Sequence, residues 1–382
     1  SYTYTLKGEG EETFRSRFTY FGFQILRVVG VDLPEDPDAG KERAVLLDAG
    51  ADFVTSSAPA VGAFHCADPL PGAPHLFNEI DAMIDRSVRS NLQSVLTDCP
   101  HREKLGWLEV AHLMGPSILY RYDTHGLYRK ICRDTTDSQL EDGLVPDIAP
   151  EYTRFSGGFF ESAEWGSASV QLPWLLYRWY GDEDVLDQQY ATMARYTRYL
   201  ATTRNEQGLA KAGLGDWYDW SSENGHQGES QHTPGELTAT AMLYDNARIV
   251  AETAAMQGRD ADAAEFGVLA ERVRTDFIAA YYKPAEQTVA TGSQASLAVA
   301  LHFGLFPDEA RDALADLGAF EYAPAPENPL PRADIEHAPD PREQAGVRSQ
   351  HPRQVRAPLL PLRDVVVYEA HVKGFTQLAP HM

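Results

Sequence analysis

The hydrophobic pattern of the chain changes character three times. Over residues 1–70 apolar and polar positions alternate, most clearly in Tyr2–Leu6 and in FTYFGFQILRVV at 18–29. A period of two puts successive side chains on opposite faces of a strand. A polar loop with Pro, Asp and Gly occupies 33–43, and 44–47 and 52–55 read as further short strands. These are too few for a complete sandwich. Residues 1–70 are expected to be the last strands of a β-sandwich domain. From about residue 75 the period becomes helical, with Leu76, Ile80, Met83, Ile84 and Val88 on one face. Helices are predicted over roughly 107–122, 124–137, 165–180, 183–203, 236–257, 259–281 and 292–304. Turn-forming sequences such as GD at 181–182 and GLGDW at 213–217 separate them. Broad apolar faces, as in Ala241, Tyr244, Ala247, Val250 and Ala251, predict antiparallel helical hairpins in which each helix packs against two neighbours. Residues 319–363 lose this periodicity and read as disordered or linker-like. The run Val365–Tyr368 then predicts one isolated buried strand and its loop within 364–382.

Composition narrows the class of partner. The chain has 382 residues and is 43% hydrophobic, enough for a sizeable core. Its formal net charge of -23 repels phosphate backbones and anionic lipid, so neither nucleic acid nor membrane is an expected partner. A neutral small ligand is compatible. Cys66, Cys99 and Cys132 lie far apart without CxxC spacing, so neither a disulfide framework nor a zinc site is expected. No metal or other cofactor is expected. The chain begins at Ser1 with no signal-peptide pattern, so compartment is not legible, and neither is oligomeric state.

The densest chemistry is TDCPHREKLGWLE at 97–109, where Pro100 and Gly106 oppose a regular helix. The loop gathers Asp98, Arg102, Glu103, Lys104, Trp107 and Glu109. Glycoside hydrolysis needs one carboxylic acid to protonate the leaving oxygen and one carboxylate to activate water, and an indole offers a flat face to a sugar ring. Surface ion pairs on an interhelix loop would give the same composition. A second cluster, Glu161, Glu164 and Trp165, precedes a helix, where carboxylates also favour the N-terminus. A third, Asp216, Trp217, Tyr218, Asp219 and Trp220, reads equally as a sugar subsite or a capped turn. His112 and its neighbours lack metal-ligand spacing and read as structural or solvated.

TDCPHREKLGW resembles the catalytic loop of bacterial alpha-L-rhamnosidases, glycoside hydrolase family 78, in which DCPQR is followed by an acid and then LGW. FTYFGFQILRVVG, GAFHCADPL, EWGSASVQLPWLLYRWYGD, GLGDWYDW, ELTATAMLYDNARIVAETAAMQG and TGSQASLAVALHFGLFP resemble further family segments in the same order. The likeness spans about 1–318. It implies a mainly α fold, an incomplete (α/α)6 barrel over 71–318 preceded by β-sandwich strands, and inverting hydrolysis of terminal alpha-L-rhamnosyl residues. It implies Glu103 as general acid. Asp98, Arg102, Trp107 and Glu109 would bind the sugar, with Trp165 and Asp216 in the rhamnose pocket. A rhamnose-containing glycoside or polysaccharide would be the substrate.

Two departures matter. Many members continue LGW with TGD, whereas this chain has Leu108, Glu109 and Val110, so Glu109 stands in from the adjacent position. The family's general base lies in a late hairpin, beyond the matching residues, so that base is expected to be absent from the chain and hydrolysis impaired. DVVVYEAHVKGFTQLAPHM instead resembles the first barrel strand of glycogen debranching enzymes, so the chain reads as a junction of two gene fragments. The alternatives are another polysaccharide-degrading enzyme on the same barrel, a uronyl hydrolase or lyase, and a non-catalytic sugar-binding remnant.

Overall fold

The computed structural model describes residues 2–8, 10–66, 75–217, 230 and 232–310. The expected linker at 319–363, the strand within 364–382 and the residues Tyr218, Asp219 and Trp220 lie outside them. Two short strands, β1 (Val31–Asp32) and β2 (Ala44–Val45), pair in parallel. The helices α1 (Leu76–Asn91), α2 (Leu108–Leu113), α3 (Gly115–Arg121) and α4 (His125–Ser138) follow. Then come α5 (Ala163–Gly166), α6 (Ala168–Tyr180), α7 (Glu183–Thr202), α8 (Gly235–Met256) and α9 (Asp260–Tyr281). An antiparallel ribbon of β3 (Tyr282–Lys283) and β4 (Thr288–Val289) leads into α10 (Gln294–Phe303).

Packing follows the hairpin pattern. α6 lies against α7, α7 against α8 and α8 against α9, while α4 and α2 cover α6. The main core lies between these helices and includes Tyr128, Leu172, Leu176, Met193, Tyr196, Leu243, Ile249 and Phe266. A second apolar group, with Leu237, Phe277, Leu301, Leu305 and Phe306, joins α8 and α9 to α10. The predicted boundaries are set by local chemistry. Gly181 takes φ 68° to end α6, and Asp182 caps α7 by accepting the Val185 N–H at 3.1 Å.

Two predicted helices are each broken in two. The segment 107–122 divides at Met114 because Pro116 follows, and a proline fits the first turn of a helix but not its interior. Gly115 packs closely there, since a Cβ would come within 2.6 Å of Leu175 Cδ2 and push that side chain aside. The segment 165–180 divides at Ser167 into α5 and α6.

The strands predicted at 2–6, 18–29 and 52–55 are not seen as strands, and pairing at 44–47 reaches only Ala44 and Val45. Alternation specifies which face of a strand is apolar. It does not supply the neighbouring backbone that a ladder needs. The segment instead makes ring contacts, Tyr2 to Phe21 and Tyr4 to Phe14, with centroids 5.4 and 5.0 Å apart. Its Gly22 N–H donates to the Pro100 carbonyl at 3.0 Å.

Candidate active site

The loop at 97–107 is folded by its own side chains. Asp98 clasps Leu105 in both directions: its Oδ1 accepts the Leu105 N–H at 3.0 Å, and its N–H donates to the Leu105 carbonyl at 3.2 Å. Cys99 Sγ accepts the Glu103 N–H at 3.2 Å. Lys104 takes φ 58° to turn the chain and donates to the Tyr20 carbonyl at 2.6 Å. Its ammonium also lies 4.3 Å from the Phe21 ring centroid. Glu103 is presented at the exposed crest, where the Trp107 indole donates to its Oε2 at 3.0 Å. The Trp107 ring faces Phe155, centroids 5.4 Å apart and planes 33° from parallel. Arg102 is exposed and makes no hydrogen bond or ion pair with a described residue. Asp98 Oδ1 is thus taken up by the loop, Arg102 and Glu103 are exposed and Trp107 is half-buried.

A second segment runs beside this loop. Trp107 bridges to Ile148, and the Ala149 N–H donates to the Gly106 carbonyl at 3.2 Å. The approach needs glycine, because a Cβ on Gly106 would lie 2.9 Å from the Ala149 carbonyl oxygen. Leu108 N–H donates to the Asp147 carbonyl at 2.9 Å. The Asp147 side chain is buried. It accepts the Ser162 N–H at 2.8 Å and lies 2.7 Å from the Ser162 hydroxyl. Burial pushes this carboxyl up to about 8, with the nearby charges of Glu164 and Glu161 adding to the shift. The Ser162 hydroxyl also reaches the Gly158 carbonyl, so a neutral Asp147 can donate to a hydroxyl that itself donates onward.

Glu164 stands at the centre of a third group. It is 7% exposed, and its Oε1 accepts the Leu214 and Gly215 N–H groups at 3.1 and 3.2 Å and the Thr238 hydroxyl at 2.5 Å. Oε2 is buried with no hydrogen-bond partner among the described residues. Burial pushes the carboxyl up to about 6 against the pull of these donors. The Glu164 carbonyl accepts the His112 Nε2–H at 2.6 Å, and burial pushes that imidazole down to about 4, so it is neutral near pH 7. Glu109 lies one turn before His112 on α2. Its carboxyl makes no hydrogen bond with a described residue, and burial raises its pKa.

Of the remaining predicted residues, Trp165 is buried within α5, beside Glu164 in sequence. Asp216 is exposed and lines an open depression of about 320 Å³ with His232, Thr233, Ser293 and Gln294. Trp217 meets Phe159 edge-on, centroids 5.1 Å apart. The segment carrying Phe155 and Phe159 therefore touches both indoles. α2 spans the two halves of the site: Trp107 is its N-cap, and His112 in its last turn contacts Glu164. Six residues at ~1.5 Å each make this span about 9 Å. Among the described residues no group of three or more His, Cys, Asp or Glu side chains is placed to hold a metal ion.

No motif marks Asp147, because burial of a single aspartate leaves no spacing pattern. Glu164 was visible as an acidic residue before a helix but not as an acceptor for a distant turn. His112, read as structural or solvated, is half-buried and its partner is a backbone carbonyl.

Antiparallel helical hairpins thus carry these carboxylates and indoles on and beside the loops that join them, and the class of the domain is a helical-hairpin array. The chain belongs to the family described as the bacterial alpha-L-rhamnosidase 6 hairpin glycosidase domain, whose model matches residues 59–321. An alpha-L-rhamnosidase of Streptomyces avermitilis is 32% identical over 317 residues, which cover 82% of this chain and 28% of that protein. One from Formosa agariphila is 29% identical over 319 residues, covering 81% of this chain and 32% of that protein. A crystal structure of the Streptomyces avermitilis alpha-L-rhamnosidase complexed with L-rhamnose superposes with a TM-score of 0.60 at 31% identity, over 69% of this chain and 24% of that one. The chain thus spans about a third or less of the length of these relatives.

Proposed function

We propose that this chain carries the acid half of an inverting alpha-L-rhamnosidase site, with Glu103 as general acid. The observation that carries the reading is the crest of the 97–107 loop. There the Trp107 indole fixes one Glu103 oxygen and leaves the other, Oε1, without a partner among the described residues. A carboxylic acid held this way can give its proton to the glycosidic oxygen as the bond to the anomeric carbon breaks. Water then attacks from the opposite face and gives its own proton to a second carboxylate, which inverts the configuration. Asp98, Arg102 and Trp107 of the same loop and Glu109 in the first turn of α2 are read as receiving the sugar, with Trp165 and Asp216 as further members of the pocket. The substrate class is a neutral rhamnose-containing glycoside.

The second carboxylate is the weak point. Among the described residues Glu164 is buried with its Oε1 taken by three donors, so it is not read here as the base. The resemblance puts the general base past the rhamnosidase-like residues, so this chain on its own is expected to bind rhamnose and turn over slowly. Loss of a general acid or base typically costs a factor of about 10² to 10⁴. The test is hydrolysis of p-nitrophenyl alpha-L-rhamnopyranoside by the wild type and by Glu103→Gln, with the anomer of the first product read by NMR. Residual turnover that releases the β-anomer and vanishes in Glu103→Gln supports the reading. Fast turnover, an α-anomer as first product, or equal rates in the two proteins contradicts it.

A further inference from the structure

Glu164 makes contacts that none of the roles above uses. Its carboxylate reaches the turn at 214–215 and the first turns of α8, and its carbonyl reaches the last turn of α2. The turn it holds is immediately followed by Asp216 and Trp217, and α2 begins at the Trp107 that steadies Glu103. The backbone leaves little slack nearby. Gly213 and Gly235 pack so closely that a Cβ on Gly213 would lie 2.1 Å from the Gly235 carbonyl oxygen. A Cβ on Gly215, which has φ 72°, would lie 2.2 Å from the Thr233 carbonyl oxygen. Among the described residues Oε1 takes three donors, two from the turn and one from α8, and Oε2 takes none. Burying a carboxyl is costly, and pure packing would be served better by an apolar side chain.

We propose that Glu164 is a positioning residue that clamps the Leu214–Gly215 turn to α8 and α2, so that Asp216 and Trp217 are held in register with the Glu103 loop. The identification of the ligand as rhamnose rests on the functional reading above, whereas the clamp itself does not.

Three variants separate the possibilities. Glu164→Ala removes the acceptor. Glu164→Gln keeps an acceptor oxygen for the two N–H groups. Thr238→Val removes one donor without touching the carboxylate, and keeps the test open should Glu164→Ala fail to fold. Amide exchange of the turn at 213–217 and of α2 is followed by mass spectrometry, and L-rhamnose binding by calorimetry. The clamp predicts exchange of the turn and α2 faster by about tenfold or more in Glu164→Ala, smaller changes in Thr238→Val, and near wild-type values in Glu164→Gln. Exchange in α6, α7 and α9 should stay unchanged, which a loss of general stability would not allow. Rhamnose affinity should weaken about tenfold in Glu164→Ala and recover in Glu164→Gln. Unchanged exchange at the turn overturns the proposal, and so does a loosened turn with undiminished rhamnose affinity. A wild type that binds no rhamnose, with a turn that still loosens in Glu164→Ala, supports the clamp and refutes the rhamnoside reading instead.

Discussion

At the scale of single residues, the buried carboxyl of Asp147 is the group with the clearest consequence. Its pKa stands near 8 in the fold, against about 3.9 in an unfolded chain. Between these values the folded state keeps a proton that the unfolded state has released. The stabilisation from Asp147 is therefore present below about pH 4 and is lost as pH rises through 8, by up to about 1.4 kcal/mol per pH unit. Asp147→Asn keeps the shape and an acceptor for Ser162 but does not titrate. The variant should gain stability relative to wild type as pH goes from 5 to 8, and the gap should flatten beyond the folded pKa of about 8. His112 acts in the opposite sense on the acid side, since its pKa falls to about 4 and its stabilisation is lost as pH drops through that value. Both proteins share His112, so their difference isolates Asp147. Thermal unfolding across this range checks the claim, and parallel profiles would sink it. The sequence showed which residue types gather at 97–109 but not how the work divides among them. Asp98 Oδ1 accepts from a backbone N–H of its own loop and Glu103 Oε2 from an indole, a distinction made by loop geometry rather than by composition.

At the scale of elements, what could be read early is what is decided locally. Gly181 and Asp182 marked the junction of α6 and α7, because a left-handed C-cap and an oxygen-bearing N-cap need no distant partner. Asp182 does more than cap. Its Oδ2 lies 2.6 Å from His125 Nε2 and 3.4 Å from Arg129 Nη1, with only 6% of the side chain exposed. Asp182→Ala removes the cap and leaves two basic groups of α4 without their carboxylate. The cap alone contributes about 1 kcal/mol, and the partly buried pairs raise the expected loss to roughly 2 kcal/mol. Urea unfolding at neutral pH measures it, and a loss under about 0.5 kcal/mol would show that the contacts are replaced by water. The strands expected at 2–6 and 18–29 mark the opposite case. A helix closes its hydrogen bonds within a few residues, whereas a strand takes its partner from anywhere in the chain. The same limit hid the link from Glu164 to Gly215, which crosses 51 positions of sequence.

At the scale of the whole molecule, two opposing features decide how the chain behaves in solution. The segment at 2–64 carries many exposed apolar side chains, among them Tyr2, Phe14, Phe18, Phe21, Phe23, Val29, Phe53 and Phe64. α1 adds Leu76, Phe77, Ile80 and Ile84, and none of its residues is buried. Exposed apolar side chains in this number favour association between copies. The net charge of -23 opposes it by mutual repulsion. Repulsion between exposed charges decays over a Debye length, about 10 Å at 0.1 M salt and about 3 Å at 1 M, whereas apolar contact is not weakened by simple salt. The balance should therefore tip as salt is raised. Sedimentation velocity at micromolar concentration is expected to show mainly monomer at low ionic strength and growing self-association toward 1 M sodium chloride. Removal of residues 1–64 should lessen that response, while also freeing Lys104 from Tyr20 and loosening the Glu103 loop. Association that weakens with salt would mean that ion pairs, not the apolar face, drive it. A monomer at every salt concentration would mean that the side chains at 2–64 find cover within the chain.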